Sequence, residues 1–223
     1  MRMLIMGVMT CILCLISFCL MQKELYPEEE KGVNIRKMLL PISAKRGCYL
    51  FATLVLNLVL VGFLVFFYKQ PEVYIMKRVG LAVLVCGIMP VDLKTNRIPN
   101  TSILAILAWR TICLIAEVIG YRDTLGITVL QEIIGAGIFF LLIGVCMLVA
   151  KNSIGMGDLK LILVVAACQG IYGVINTLFL SMIIAFFTAI LLLLTGKKGR
   201  KDVIPFAPCI MPGLYAALFL CGI

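Results

Sequence analysis

The sequence predicts an all-α protein: a polytopic transmembrane helical bundle of about eight spans, forming one integral-membrane domain over residues 1–223. Three observations predict it. Hydrophobic residues make up 63% of the chain and the mean hydropathy is +1.14, where a soluble domain is about half apolar. The apolar residues are gathered into runs of helix-spanning length, about 17–25 residues. The alternating in–out pattern of a membrane β-barrel is missing.

Eight runs follow in order: 3–21, 47–68, 73–91, 101–119, 131–150, 159–172, 174–195 and 204–222. The first has only Arg2 before a long apolar stretch and no small-x-small site after it, so it reads as an uncleaved span. The sixth is short and runs into the seventh through residues 169–173. The eighth carries Pro205, Pro208 and Pro212, so its first turns are expected to be irregular. Residues 22–46 hold Glu28-Glu29-Glu30, then a basic half without cysteine. That segment is too short for an independent domain and reads as a short cytoplasmic loop.

Charge sets the orientation. Residues 22–46, 92–100, 151–160 and 196–203 carry fourteen of the twenty Lys and Arg. The opposite side carries the other six, Arg2, Lys69, Lys77, Arg78, Arg110 and Arg122. The positive-inside rule makes the first side cytoplasmic in a cell (inner) membrane. In so apolar a chain the net charge of +9 points to basic loops against anionic lipid, with the bilayer and not nucleic acid as the partner.

The chain has no histidine. This excludes Ser-His and Cys-His nucleophile pairs, HExxH zinc sites and histidine general bases. Ten cysteines lie almost wholly within apolar runs, where free cysteine packs as a small hydrophobe. Cys11-x-x-Cys14 has redox or metal spacing, but it lies mid-helix without a second pair.

Two aspartates stand out, because an ionised carboxylate is costly at the end of an apolar run. Asp92 opens Asp92-Leu93-Lys94-Thr95-Asn96-Arg97-Ile98-Pro99-Asn100, and Asp158 ends Gly155-Met156-Gly157-Asp158 before Leu159-Lys160. Two spans separate them, so both come to the same face. Two carboxylates about 3 Å apart do not both ionise readily and share a proton; one can then activate water while the other protonates a carbonyl oxygen. No metal or cofactor is needed. Gly155 and Gly157 would let the chain turn sharply, or approach a substrate closely, before a helix whose N-terminus favours the Asp158 charge. Pro99 fits the first turn of the next helix. Each segment also has a plainer reading, Asp158 as a helix cap and Asp92 as a polar span end. Lys94 and Lys160, two residues beyond each aspartate, fit lipid phosphate or an incoming carboxylate better than catalysis. The alternative function is a cation or proton transporter using the aspartates as an ion site.

Gly155-Met156-Gly157-Asp158 resembles the GxGD motif of membrane aspartyl proteases. The Asp92–Asn100 segment resembles the first-aspartate motif of type IV prepilin peptidases, and Ile204-Pro205-Phe206-Ala207-Pro208 is similar to that family's C-terminal IPF-x-P stretch. The resemblance covers roughly residues 75–215, which would form the peptidase-like core. It implies a membrane aspartyl endopeptidase that cuts the leader from type IV prepilins or pseudopilins at the cytoplasmic face. Asp92 and Asp158 would be its catalytic aspartates, with Gly155, Gly157, Pro99 and Lys160 shaping the site. Longer members carry paired CxxC motifs after the first span and also N-methylate the mature pilin. Residues 22–46 have none, which implies a short form that cleaves without methylating.

Overall fold

The computed structural model describes residues 2–26, 44–120, 122–149, 155–195 and 205–222. Within these, the chain is helical throughout. The helices are α1 (Arg2–Leu25), α2 (Ala44–Phe66), α3 (Glu72–Thr95), α4 (Asn100–Gly120), α5 (Arg122–Val149), α6 (Met156–Leu194) and α7 (Ala207–Cys221). The first six are long and apolar enough to cross a membrane; α7 is shorter. Most of the loop read over 22–46 lies outside the described residues.

Among the described residues seven elements account for all eight runs. The sixth and seventh runs both lie in α6, as two helical stretches that meet at a kink at Gly170, whose φ of 70° and ψ of −176° are non-helical. Only glycine takes this conformation cheaply. The Thr177 hydroxyl and the Gln169 side-chain oxygen are hydrogen-bonded at 2.8 Å. A straight helix would separate these residues by about 12 Å along its axis, beyond the reach of the two side chains, so α6 bends here. Past the bend Ser181 packs against Gly213 of α7 so closely that a Cβ at 213 would lie 2.7 Å from the Ser181 backbone. The eighth run behaves as its prolines predict: Pro205 and Phe206 stay outside the helix and Pro208 sits in its first turn. The fifth begins nine residues before its expected start, at Arg122 instead of 131.

The centre of the bundle is α3, which packs on α1, α2, α4, α6 and α7. It has no polar stripe because its middle, from Val79 to Ile88, is buried on all sides. Pro90 lies within it and cannot supply the amide that would bond the Cys86 carbonyl one turn earlier. The Tyr49 hydroxyl of α2 donates to that carbonyl at 2.6 Å, so the defect is satisfied from a neighbouring helix. Helices α5 and α6 keep Phe140, Leu141, Phe186 and Leu191 exposed, the outward apolar surface a bilayer requires.

Two cations counted with the outer connections are buried within the bundle. Lys77 of α3 and Arg110 of α4 are 5% and 8% exposed, and they meet Glu117 of α4 and Glu132 of α5. Lys77 Nζ donates to Glu132 Oε1 at 2.7 Å and faces Glu117 Oε1 at 3.1 Å. Arg110 Nη2 donates to Glu117 Oε2 at 3.1 Å and, with Nε, to Glu132 Oε2. Two positive and two negative charges thus cancel on three helices. Removing these two cations from the six of the opposite side leaves four against fourteen, so the charge asymmetry of the loops is sharper than the raw count.

Candidate active site

Asp92 reaches its place through the last turn of α3. That helix ends at Asn96, whose left-handed backbone (φ 50°, ψ 37°) closes it through an N–H···O bond to the Asp92 carbonyl at 2.8 Å. Asparagine tolerates this cap conformation. Pro99 lies one residue before α4, not inside its first turn, and its carbonyl accepts the Ile103 amide at 3.4 Å. Asp158 lies in the first turn of α6, where the helix dipole favours a carboxylate.

The two aspartates line one cavity of about 740 Å³. Gly155, Gly157 and Lys160 line it too, together with Asn96, Arg97, Ile98, Asn100 and, from just before α7, Pro205 and Phe206. All three sequence segments singled out above therefore contribute to one hollow; Pro99 is only adjacent to it. Asp92 is buried, 3% exposed, and its Oδ2 accepts the backbone N–H of Ala207 at 3.0 Å. Asp158 is half-buried. Lys160 Nζ donates to Asn100 Oδ1 at 3.0 Å, tying the start of α6 to the start of α4. Lys94 points elsewhere, over the Tyr26 ring at 4.4 Å.

The turn expected at the glycines needs no special backbone. Gly155 has φ −66° and ψ 135°, which any residue can adopt, and Gly157 is helical. What glycine provides is closeness. A Cβ on Gly157 would lie 3.1 Å from Cβ of Ile98, and one on Gly155 would lie 3.2 Å from Oδ2 of Asp158. Gly155→Ala is therefore expected to displace the Asp158 carboxyl without straining the backbone. Stability is expected to stay within about 0.5 kcal/mol of the wild type, measured as the thermal midpoint in detergent; a larger loss would show that the backbone at 155 does need glycine.

Sequence reasoning missed the Ala207 amide, because a backbone donor leaves no mark in the residue pattern. It also missed Glu117 and Glu132, although each is a carboxylate in or at the edge of an apolar run, the same signal that revealed the aspartates. Cys14 is packed in the core of the bundle and Cys11 is half-exposed on α1. Among the described residues no cluster of three or more His, Cys, Asp or Glu is arranged to hold a metal ion.

The fold and this cavity define a class: a polytopic helical membrane protein with two carboxylates from different helices on one hollow. The chain belongs to the type IV leader peptidase family, whose model matches residues 79–190. It is similar to a prepilin leader peptidase/N-methyltransferase of Bacillus subtilis, with 30% identity over 81 residues, 36% of this chain and 33% of that protein. The match thus spans a third of that relative's length. No solved structure matches the chain.

Proposed function

We propose that this chain is a membrane aspartyl endopeptidase that removes the leader of type IV prepilins or pseudopilins at the cytoplasmic face of the cell membrane. The observation that carries the proposal is the cavity shared by Asp92 and Asp158, in a chain that belongs to the leader peptidase family. In the proposed reaction water enters the cavity beside the two carboxylates. One, ionised, takes a proton as the water oxygen attacks the scissile carbonyl. The other, protonated, hydrogen-bonds to the carbonyl oxygen and stabilises the charge that develops there. Collapse of the tetrahedral intermediate breaks the C–N bond, and the leaving amine takes a proton from the pair. The charge count of the loops supports the cytoplasmic placement. Without a CxxC pair in residues 22–46, the proposed activity is cleavage without methyl transfer.

The test is co-expression with a prepilin, followed by mass measurement of the product's N-terminus. Cleavage just ahead of the substrate's apolar helix is expected; an unprocessed prepilin would refute the proposal. Both aspartates lie at helix ends, so the pair can reach only scissile bonds near that face. Moving the cut site several residues deeper into the substrate helix is expected to abolish processing. Efficient cleavage at the deeper position would contradict this placement.

A further inference from the structure

The two carboxylates sit in unequal surroundings. Asp92 is almost wholly buried, and one of its oxygens is held by the N–H of Ala207. Ala207 is the first residue of α7 and is itself fully buried. Its amide is one of the donors that a helix leaves free at its start, and the α7 dipole directs its positive end to the same point. Asp92 also lies in the last turn of its own helix, an unfavourable place for negative charge. Burial works against a charge on Asp92, while the direct hydrogen bond from Ala207 favours it and outweighs the helix dipoles. Asp158 lines the same cavity from the first turn of α6, where the helix dipole also favours a charge, but among the described residues its carboxylate has no hydrogen bond like the one Ala207 makes to Asp92.

We infer that the backbone amide of Ala207 holds Asp92 as the ionised member of the pair, which takes the proton from water, and leaves Asp158 as the proton carrier that meets the substrate carbonyl. This rests on the peptidase function proposed above and assigns unequal roles within it. Ala207 acts as a positioning residue, through its main chain alone. Pro205 and Phe206 thereby gain a physical role, since they lead into α7 so that its first free amide meets Asp92.

Other charged or titratable groups around Asp92 are accounted for. Asp158 and Lys160 on α6 and Arg97 before α4 line the same cavity. Cys209 of α7 is near enough to interact with Asp92. Glu24 of α1 is turned to the Thr101 hydroxyl, and Tyr49 of α2 to the Cys86 carbonyl. None of these changes when the Ala207 N–H alone is removed.

The test replaces the Phe206–Ala207 amide by an ester, introducing the α-hydroxy analogue of alanine at position 207 in the full chain. Ala207→Gly, which keeps the N–H, is the control. The dependence of kcat/KM on pH is measured in liposomes with a prepilin substrate. A dyad that is active with one proton shows an acid and a basic limb. If Asp92 carries the charge in the active form, the ester weakens the active and the fully ionised forms equally. The acid limb then moves up by about 1–2 pH units while the basic limb stays, and the glycine control keeps both limbs. If Asp158 carries the charge, the acid limb stays and the basic limb rises, which would overturn the assignment. An unchanged profile, or a glycine control that shifts like the ester, would overturn it too. No cleavage by the wild type at any pH would overturn the peptidase function together with the assignment. Infrared difference spectra give a second readout that does not need the ester. The carboxylate band that Asp92→Asn removes is expected to form at lower pH than the band that Asp158→Asn removes; the reverse order would refute the inference.

Discussion

Asp92→Asn and Asp158→Asn are each expected to lower cleavage of a co-expressed prepilin by roughly 10²–10⁴-fold, the range that a positioned proton donor or acceptor contributes. The chain should still accumulate in the membrane fraction. Asparagine keeps the size of aspartate, and its oxygen can still accept the Ala207 N–H that Asp92 accepts at 3.0 Å. What it cannot do is exchange a proton in the working range of pH. Neither substitution should rescue the other, because one carboxylate cannot be both base and acid in the same step. Processing at normal rates in either variant would remove that aspartate from the mechanism. An equal loss accompanied by disappearance of the protein would point to a role in folding.

Glu117→Gln is expected to destabilise the bundle by about 3–5 kcal/mol, the cost of leaving buried charge without its partner. Wild-type Lys77 and Arg110 face two carboxylates. In the variant they share Glu132 alone, and a net positive charge remains inside the helices. The double substitution Lys77→Met with Glu117→Leu restores neutrality and should recover most of the loss, so the two effects are strongly non-additive. Thermal unfolding of the detergent-solubilised protein measures both. Lys77 lies fifteen residues before Asp92 on α3, about 22 Å along a helix. Activity per folded molecule should therefore change little. A stable Glu117→Gln protein, or simple additivity in the pair, would contradict the view that these four residues balance one another.

Much of the fold is legible in the residue pattern because a bilayer demands long apolar runs. Five of the eight runs correspond one to one with α1 to α5, and the last is α7. The pattern marks the weak point at residues 169–173 but cannot say whether the chain breaks or continues there. That depends on the backbone of Gly170 and on the Thr177–Gln169 contact across it. The convergence of Asp92 and Asp158 follows from counting the spans between them, since parity survives errors in the boundaries. The role of Gly155 and Gly157 is not legible in the pattern, because turning and close approach both call for glycine. Only the folded chain shows ordinary dihedrals with crowded Cβ positions. Lys77 lies near the start of its run and so looks like a loop cation, whereas Arg110 lies at the middle of the run 101–119; their carboxylate partners are 7 to 55 residues away in sequence. Such pairing leaves no local signal. The Ala207 amide is invisible for the same reason, 115 residues from the carboxylate it binds.

The most direct test of the central claim uses the purified chain in liposomes with one prepilin as the only other protein. Product N-termini are read by mass spectrometry for the wild type, Asp92→Asn and Asp158→Asn. The account predicts a single cut ahead of the substrate's apolar helix by the wild type and none by either variant, with all three proteins equally folded. Cleavage by a variant at the wild-type rate, or no cleavage by the folded wild type, would contradict it.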